Sequence, residues 1–454
     1  MEKRIKLLND APQITENSYV LYWMQHTQRT HQNGALVHAI KQANKTGKPL
    51  KVLFCIAKTF EDGADRHYHF MIEGLKDLRE TFEKSGIDFT VVFGDFLEVI
   101  PPYFEKATEL VIDKAYIRPL RKIRRQILSK AKNLRVSEVE SDLVVPIEEA
   151  SNKVEYAART IRKKLWKALE TPSSIPDAPA IKHPSNSHAD LLDQSAEAII
   201  KRCAIRHDVG KVERFKGGEK EALKRFDTFL KEGIHGYSEL SNDPGIYQVS
   251  TLSPYLHFGM ISPLYMLETI QRKASEGLID KADADAYLEQ LVVRRELAFN
   301  FVYFLEDGYD RFDQMTYEWA YKTMDAHQDD PRSHHYSLDT LKAAKTHDPY
   351  WNAAMKEMVK TGFMHNYMRM YWGKKIIEWS KTYKEAFETI KALNNLYFLD
   401  GRDPNSYAGI AWCFGRHDRA FQEREVLGKL RPLSMGGLKR KFKIDAYVKR
   451  FESE

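Results

Sequence analysis

Short runs of β-branched and aromatic residues alternate with amphipathic stretches through the first third of the chain. Val20 to Met24 (VLYWM), Lys51 to Ile56 (KVLFCI), Asp88 to Phe93 (DFTVVF), Glu109 to Asp113 (ELVID) and Arg135 to Val139 (RVSEV) are bounded by turn residues or helix starts and predict strands. Between them, Ala35 to Lys45, Phe70 to Lys84 and Arg118 to Lys132 carry apolar positions at helical spacing. Five strands alternating with helices predict an open, parallel, Rossmann-like α/β domain over residues 1–146, with its ligand at the carboxyl ends of the strands.

Residues 147–189 read as a linker: a helical stretch, EYAARTIRKKLWKAL, gives way to TPSSIPDAPAIKHPSNSH, whose prolines and serines hold neither helix nor ladder. Beyond it the spacing is helical throughout, over Ala222 to Glu232, Tyr265 to Glu276, Ala284 to Phe304, Trp351 to Lys360 and Asn366 to Ser380. The expected architecture is therefore α/β plus all-α, with a helical domain over residues 190–454.

Composition narrows the class. With 454 residues, 43% hydrophobic and 30% charged, the chain has the make-up of a globular protein of two to three domains. No apolar run reaches the roughly 18 residues of a spanning helix, and MEKRIKLLNDAP has no apolar signal core, so no membrane association and a cytoplasmic location are expected. Cys55, Cys203 and Cys413 are widely separated, which argues against a disulfide framework or a zinc site; no metal is expected. The net charge of +6 permits a polyanionic partner.

Several segments carry chemistry. In VSTLSPYLHFGMISP, Ser250, Thr251 and Ser253 set three hydroxyls ahead of Pro254, a residue suited to a first helical position. Such a start is an ordinary cap or an anion site. In LVVRRELAFNFVYF, Glu296 interrupts a helix apolar almost all round, where a carboxylate is paired, hydrogen-bonded or functional. Between His347 and Asp403, Trp372 and Trp379 lie seven apart on one helical face and Trp351 opens the adjoining helix; such indoles are core packing or a redox chain. Arg369, Met370 and Asp400 share that region, and Asn394 and Asn395 suit a helix end. In AWCFGRHDRAFQEREVLGKLRPLSMGGLKRKFKIDAY, Arg424, Lys429, Arg431, Lys439, Arg440 and Lys441 are interleaved with Trp412, Phe421 and Phe442, the strongest nucleic-acid signature in the chain.

These segments together resemble a known family. YVLYWMQHTQR, STLSPYLHFG, VRREL, HDPYWN, HNYMRMYWGKKIIEW, LDGRDPNSYAGIAW and GGLKRKF, in this order along almost the whole chain, look like the class II cyclobutane pyrimidine dimer photolyases of the photolyase and cryptochrome family. The resemblance implies FAD, active as FADH-, in the helical domain and a deazaflavin-type antenna pigment in the α/β domain. It assigns Ser250, Thr251, Leu252, Ser253, Arg369, Asp400 and Asp403 to the flavin and Asn394 to the neighbourhood of flavin N5. It assigns Glu296 to the pyrimidine dimer, and Trp351, Trp372 and Trp379, in an order left open, to electron transfer. Met370 and Trp412 would wall the dimer pocket, and Phe421, Arg424, Lys429, Arg431, Lys439, Arg440 and Lys441 would meet DNA.

The implied activity is carbon–carbon lysis: on illumination the reduced flavin donates an electron to a flipped-out dimer in UV-damaged DNA, the cyclobutane bonds split, and the electron returns. The implied enzyme is monomeric and DNA-associated. Departures from the family pattern fall at Phe421, usually Trp, at Asn366, usually Gly, at Phe398, usually Glu, and at HQNGAL near Gln32. The alternative is a cryptochrome-like flavin photoreceptor without repair activity; repair of the (6-4) photoproduct ranks below both, because the His pair it uses has no matching motif.

Overall fold

A computed structural model describes residues 1–171, 173–186 and 191–452. All the expected strands form: β2 Tyr19–Trp23, β3 Leu50–Ala57, β4 Asp88–Gly94, β5 Ala107–Asp113 and β6 Val136–Val139. A further edge strand, β1 Ile5–Leu7, pairs antiparallel with β6, whereas the β2–β3, β3–β4, β2–β5 and β5–β6 pairs are parallel. The sheet order is β1-β6-β5-β2-β3-β4. Alternation within each strand feeds two cores. Tyr22, Val52 and Phe54 face the helices Gly34–Thr46 and Asp65–Lys84, while Leu21, Trp23, Leu53 and Cys55 face Ile127 and Leu134.

The rest is helical. Lys281–Leu288 and Arg295–Phe304 are joined by a π-helical turn over Glu289–Arg294, within the single helix expected for 284–304. The helices Pro349–Thr361, Asn366–Trp379, Tyr383–Tyr397 and Pro404–Cys413 form the central layer. Among the described residues no helix is long and apolar enough to cross a membrane.

The expected linker holds a helix, Ala158–Leu169, and then runs over the α/β half, where Ser173 O accepts from Arg4 and Ala180 O from Asn44. Its last residues, 187–189, and the expected boundary at 190 lie outside the described residues. Beyond that point Leu192, Ile199, Ile200 and Cys203 still belong to the α/β core.

Strand order reverses at β2, and the crevice expected there is closed by protein. Asp113, at the end of β5, accepts from the Tyr22 hydroxyl and the Gln25 N–H, each at 2.8 Å. Arg29 reaches from the loop after β2 to Asp142 and to Gly259 O in the helical half, both at 2.9 Å. Gly259 has φ +66, and a Cβ there would stand 1.9 Å from His26 O, so glycine is what lets the halves meet. An open crevice of about 410 Å³ lies instead beyond β3, lined by Phe60, Asp62 and Gly63 and by Leu338, Lys342 and Leu396 of the helical half.

Candidate active site

Capping side chains set the frame of the site. Asp348 accepts from Tyr350 N and Trp351 N at 3.0 and 3.1 Å, starting the helix that carries Trp351. The His365 ring accepts from Tyr367 N at 3.2 Å, starting the helix of Arg369, Met370, Trp372 and Trp379. Beneath that start, Glu357 accepts from the hydroxyls of Tyr247 and Tyr447 and from His365 N. Burial pushes its carboxyl up to about 7 against the pull of those hydroxyls. Asp403 accepts from Asn405 N at 2.8 Å, starting the helix Pro404–Cys413 that carries Trp412.

Arg369 grips Asp400 through both terminal nitrogens, at 2.9 and 3.2 Å, and donates to Asn394 Oδ1 at 3.1 Å and to Ser406 Oγ at 3.3 Å. Its guanidinium lies 3.7 Å from the Phe398 ring centroid. Phe398, one of the departures from the family pattern, thus forms the floor under this cation. The Phe398 ring meets Trp372 at 6.5 Å.

The hydroxyl segment sits close by. Thr251 has φ +55, and the helix Ser253–His257 starts behind Leu252 with no side chain capping it. Ser250, Thr251 and Ser253 are half-exposed while Leu252 is buried. Three hydroxyls that cap nothing fit an anion better than an ordinary helix start. His257 ties this helix to Asp403 at 3.1 Å; burial disfavours the Asp403 charge, yet that bond holds its pKa below the usual carboxylate range. A hydroxyl turn for a diphosphate beside a guanidinium–carboxylate pair and an amide is a donor set that fits a flavin dinucleotide.

The three indoles are brought together around Trp351. Trp351 and Trp372 are parallel, 6.4 Å between centroids at 11°, and Trp351 and Trp379 meet edge to face at 5.5 Å. Trp351 Nε1 donates to Trp372 O at 3.0 Å. Trp379 then touches Tyr336 and His347 at 5.1 and 5.5 Å, and His347, exposed, stacks on His334 at 3.7 Å.

Glu296 is placed differently from its expected role. Its Oε1 accepts from Val144 N at 2.5 Å and Val145 N at 3.2 Å, at the joint with the α/β half, and the residue is 2% exposed. Burial pushes its carboxyl up to about 8, against the pull of Arg295 and the two amides. A second acid, Glu289, which no motif in the sequence marks, is linked toward Trp412 through Arg294. Glu289 pairs with Arg162 at 2.7 Å and Arg294 at 3.2 Å, and the Arg294 guanidinium lies 5.3 Å from the Trp412 ring. Its signal was available: Glu289 lies seven residues, about two turns, before Glu296 on the same helical run.

Past Trp412 the basic segment forms a tight loop. Arg431 pairs through two nitrogens with Asp418, Arg424 N donates to Gly428 O, and Phe421 packs against Arg431 and Arg419 at 4.5 and 5.4 Å. Arg424, Lys429 and Arg431 are exposed, as are Lys439, Arg440 and Lys441 in the last turn of the helix Met435–Lys441. Met370 is half-buried against the helical core.

Comparison with known proteins finds relatives along the whole chain. The DNA photolyase family model matches residues 20–184. The chain is 42% identical to a deoxyribodipyrimidine photo-lyase of Methanothermobacter thermautotrophicus over 99% of its own length and 98% of the relative's. It is 37% identical to that of Arabidopsis thaliana, covering 96% and 89%. A Synechocystis cryptochrome structure superposes with a TM-score of 0.79 over 98% of this chain and 90% of that one, at 16% identity, a likeness of fold. Similarity along the full length places the chain in the DNA photolyase family.

Proposed function

We propose that the chain is a light-dependent enzyme that restores cyclobutane pyrimidine dimers in DNA, works with FAD, and belongs to the class II branch. The observation that carries this reading is the end-to-end similarity to the Methanothermobacter photo-lyase. When bound and reduced, FAD supplies the electron that light drives into the dimer.

The chain's own residues do the holding and steering. Ser250, Thr251 and Ser253 would take the diphosphate, and Arg369 with Asp400 the ring system. Asp403 keeps the hydroxyl helix in register through His257. Trp379, Trp351 and Trp372, in that order inward, would pass electrons from the surface toward Phe398 and Arg369. Trp412 and Met370 would flank the extruded pyrimidines, with Glu289 rather than the enclosed Glu296 as the carboxylate facing them. Glu296 instead joins the two halves. Phe421 would lie against the opened duplex, and Arg424, Lys429, Arg431, Lys439, Arg440 and Lys441 would neutralise phosphates, the term that dominates affinity for DNA.

An antenna pigment of the deazaflavin type would use the 410 Å³ crevice beyond β3, since the switch point is filled. The working unit is a monomer on UV-damaged DNA inside the cell. Purified holoprotein mixed with dimer-containing and undamaged duplex tests the reading. Light-dependent loss of dimers from the first supports it, and flavin photoreduction with every dimer left intact would favour the photoreceptor alternative.

A further inference from the structure

A single hydrogen-bonded line joins the flavin side of the molecule to the α/β half. Arg369 Nη2 donates to Asn394 Oδ1 at 3.1 Å, Asn394 Nδ2 donates to Asn395 Oδ1 at 3.0 Å, and Asn395 Nδ2 donates to Asp62 Oδ2 at 3.0 Å. The direction of the line is fixed by chemistry. A guanidinium only donates and a carboxylate only accepts, so the two amides between them have one compatible orientation. The Arg402 N–H, donating to Asn395 Oδ1 at 3.2 Å, enforces the same sense. Both asparagines are buried, whereas Asp62 is exposed at the rim of the 410 Å³ crevice. Arg402 also pins the Asp62 turn, donating to Asp62 O and Asn395 O at 2.9 Å each.

We propose that Asn395 and Asp62 are positioning residues for Asn394, fixing which edge of its amide a bound flavin meets. This rests on the flavin reading above. With one lone pair of Oδ1 given to Arg369, Asn394 keeps a second lone pair for a donor such as the N–H at position 5 of a reduced flavin. The line ending on Asp62 holds that lone pair in place and polarises it, because aligned hydrogen bonds strengthen one another. A hydrogen-bond acceptor of the α/β half thereby favours the reduced form in the helical half.

The test compares flavin midpoint potentials of the holoprotein with those of Asp62→Asn, Asp62→Lys and Asn395→Leu. Asparagine at 62 still accepts from Asn395 and should leave the potential near that of the unsubstituted protein. Lysine at this exposed position only donates, so it opposes the line. It should lower the ratio of reduced to oxidised flavin at fixed potential about tenfold, about 30 mV for a two-electron couple. Asn395→Leu, where it folds and holds flavin, should shift it in the same direction. An unchanged potential in Asp62→Lys, or an equal shift in Asp62→Asn, overturns the proposal. A flavin-free preparation of the unsubstituted protein would overturn the flavin reading itself, an outcome visible in its absorption spectrum before any variant is compared.

Discussion

Trp351 and Trp372 lie parallel with their ring centroids 6.4 Å apart, and Trp351 also meets Trp379 at 5.5 Å. Trp351 would therefore be the middle member of the proposed electron path. Trp351→Phe should interrupt photoreduction of oxidised flavin, seen as loss of light-induced bleaching, while protein whose flavin has been reduced chemically still repairs. The same change deletes the Nε1 bond to Trp372 O and leaves a void, for a stability cost of about 1–3 kcal/mol in denaturant unfolding. Photoreduction at the unsubstituted rate would exclude a path through Trp351.

Glu296 gives the chain a pH dependence whose sign follows from its environment. Its folded pKa, about 8, lies above the ordinary 4.5, so between those values the native state keeps a proton that the unfolded chain has released. Its contribution is intact below pH 4.5 and lost as pH rises toward 8, by a few kcal/mol at most, at about 1.4 kcal/mol per unit. Glu296→Gln keeps an acceptor for Val144 N and Val145 N and should flatten stability across that window. Glu296→Ala leaves both amides unpaired and should cost roughly 2–4 kcal/mol. Chemical denaturation of both variants at several pH values checks the pair.

Glu289 and Trp412 should behave as substrate-facing groups. Glu289→Gln is expected to lower repair per photon with flavin content unchanged. Trp412→Ala should weaken binding of dimer-containing DNA by roughly 1–3 kcal/mol, the usual worth of an aromatic platform. Equal repair in Glu289→Gln and reduced repair in Glu296→Gln would reverse the assignment.

The basic C-terminal segment should show itself in salt. Replacing Lys439, Arg440 and Lys441 by Ala is expected to reduce the slope of log affinity against log salt by roughly one for each phosphate contact removed. A slope equal to that of the unsubstituted protein would place these side chains away from the duplex.

Much of this was legible in the chain, for reasons that differ by element. The parallel strands announced themselves because they are buried on both faces and read as β-branched runs. Ile5–Leu7 did not, being three residues long with Lys6 and Leu7 turned to solvent. The π-helical turn at Glu289–Arg294 leaves no trace in spacing, so the helix over 284–304 looked uniform. Helical spacing put Trp372 and Trp379 on one face, but that they are bridged by Trp351 is a tertiary fact. Glu296 was recognisable as a buried carboxylate, yet its partners are backbone amides, which sequence does not mark. Asn394 and Asn395 looked like helix-end residues; their side chains also link Arg369 to Asp62, the last step, from Asn395, spanning 333 positions of sequence.

This chain should split pyrimidine dimers with light. The most direct test is to illuminate holoprotein, with its flavin reduced, in the presence of a thymine-dimer oligonucleotide, and to follow recovery of thymine absorbance against a dark control. Recovery is expected in the light alone, with the flavin still reduced at the end because the electron returns. Bound, reduced flavin with no recovery of thymine under light would contradict it.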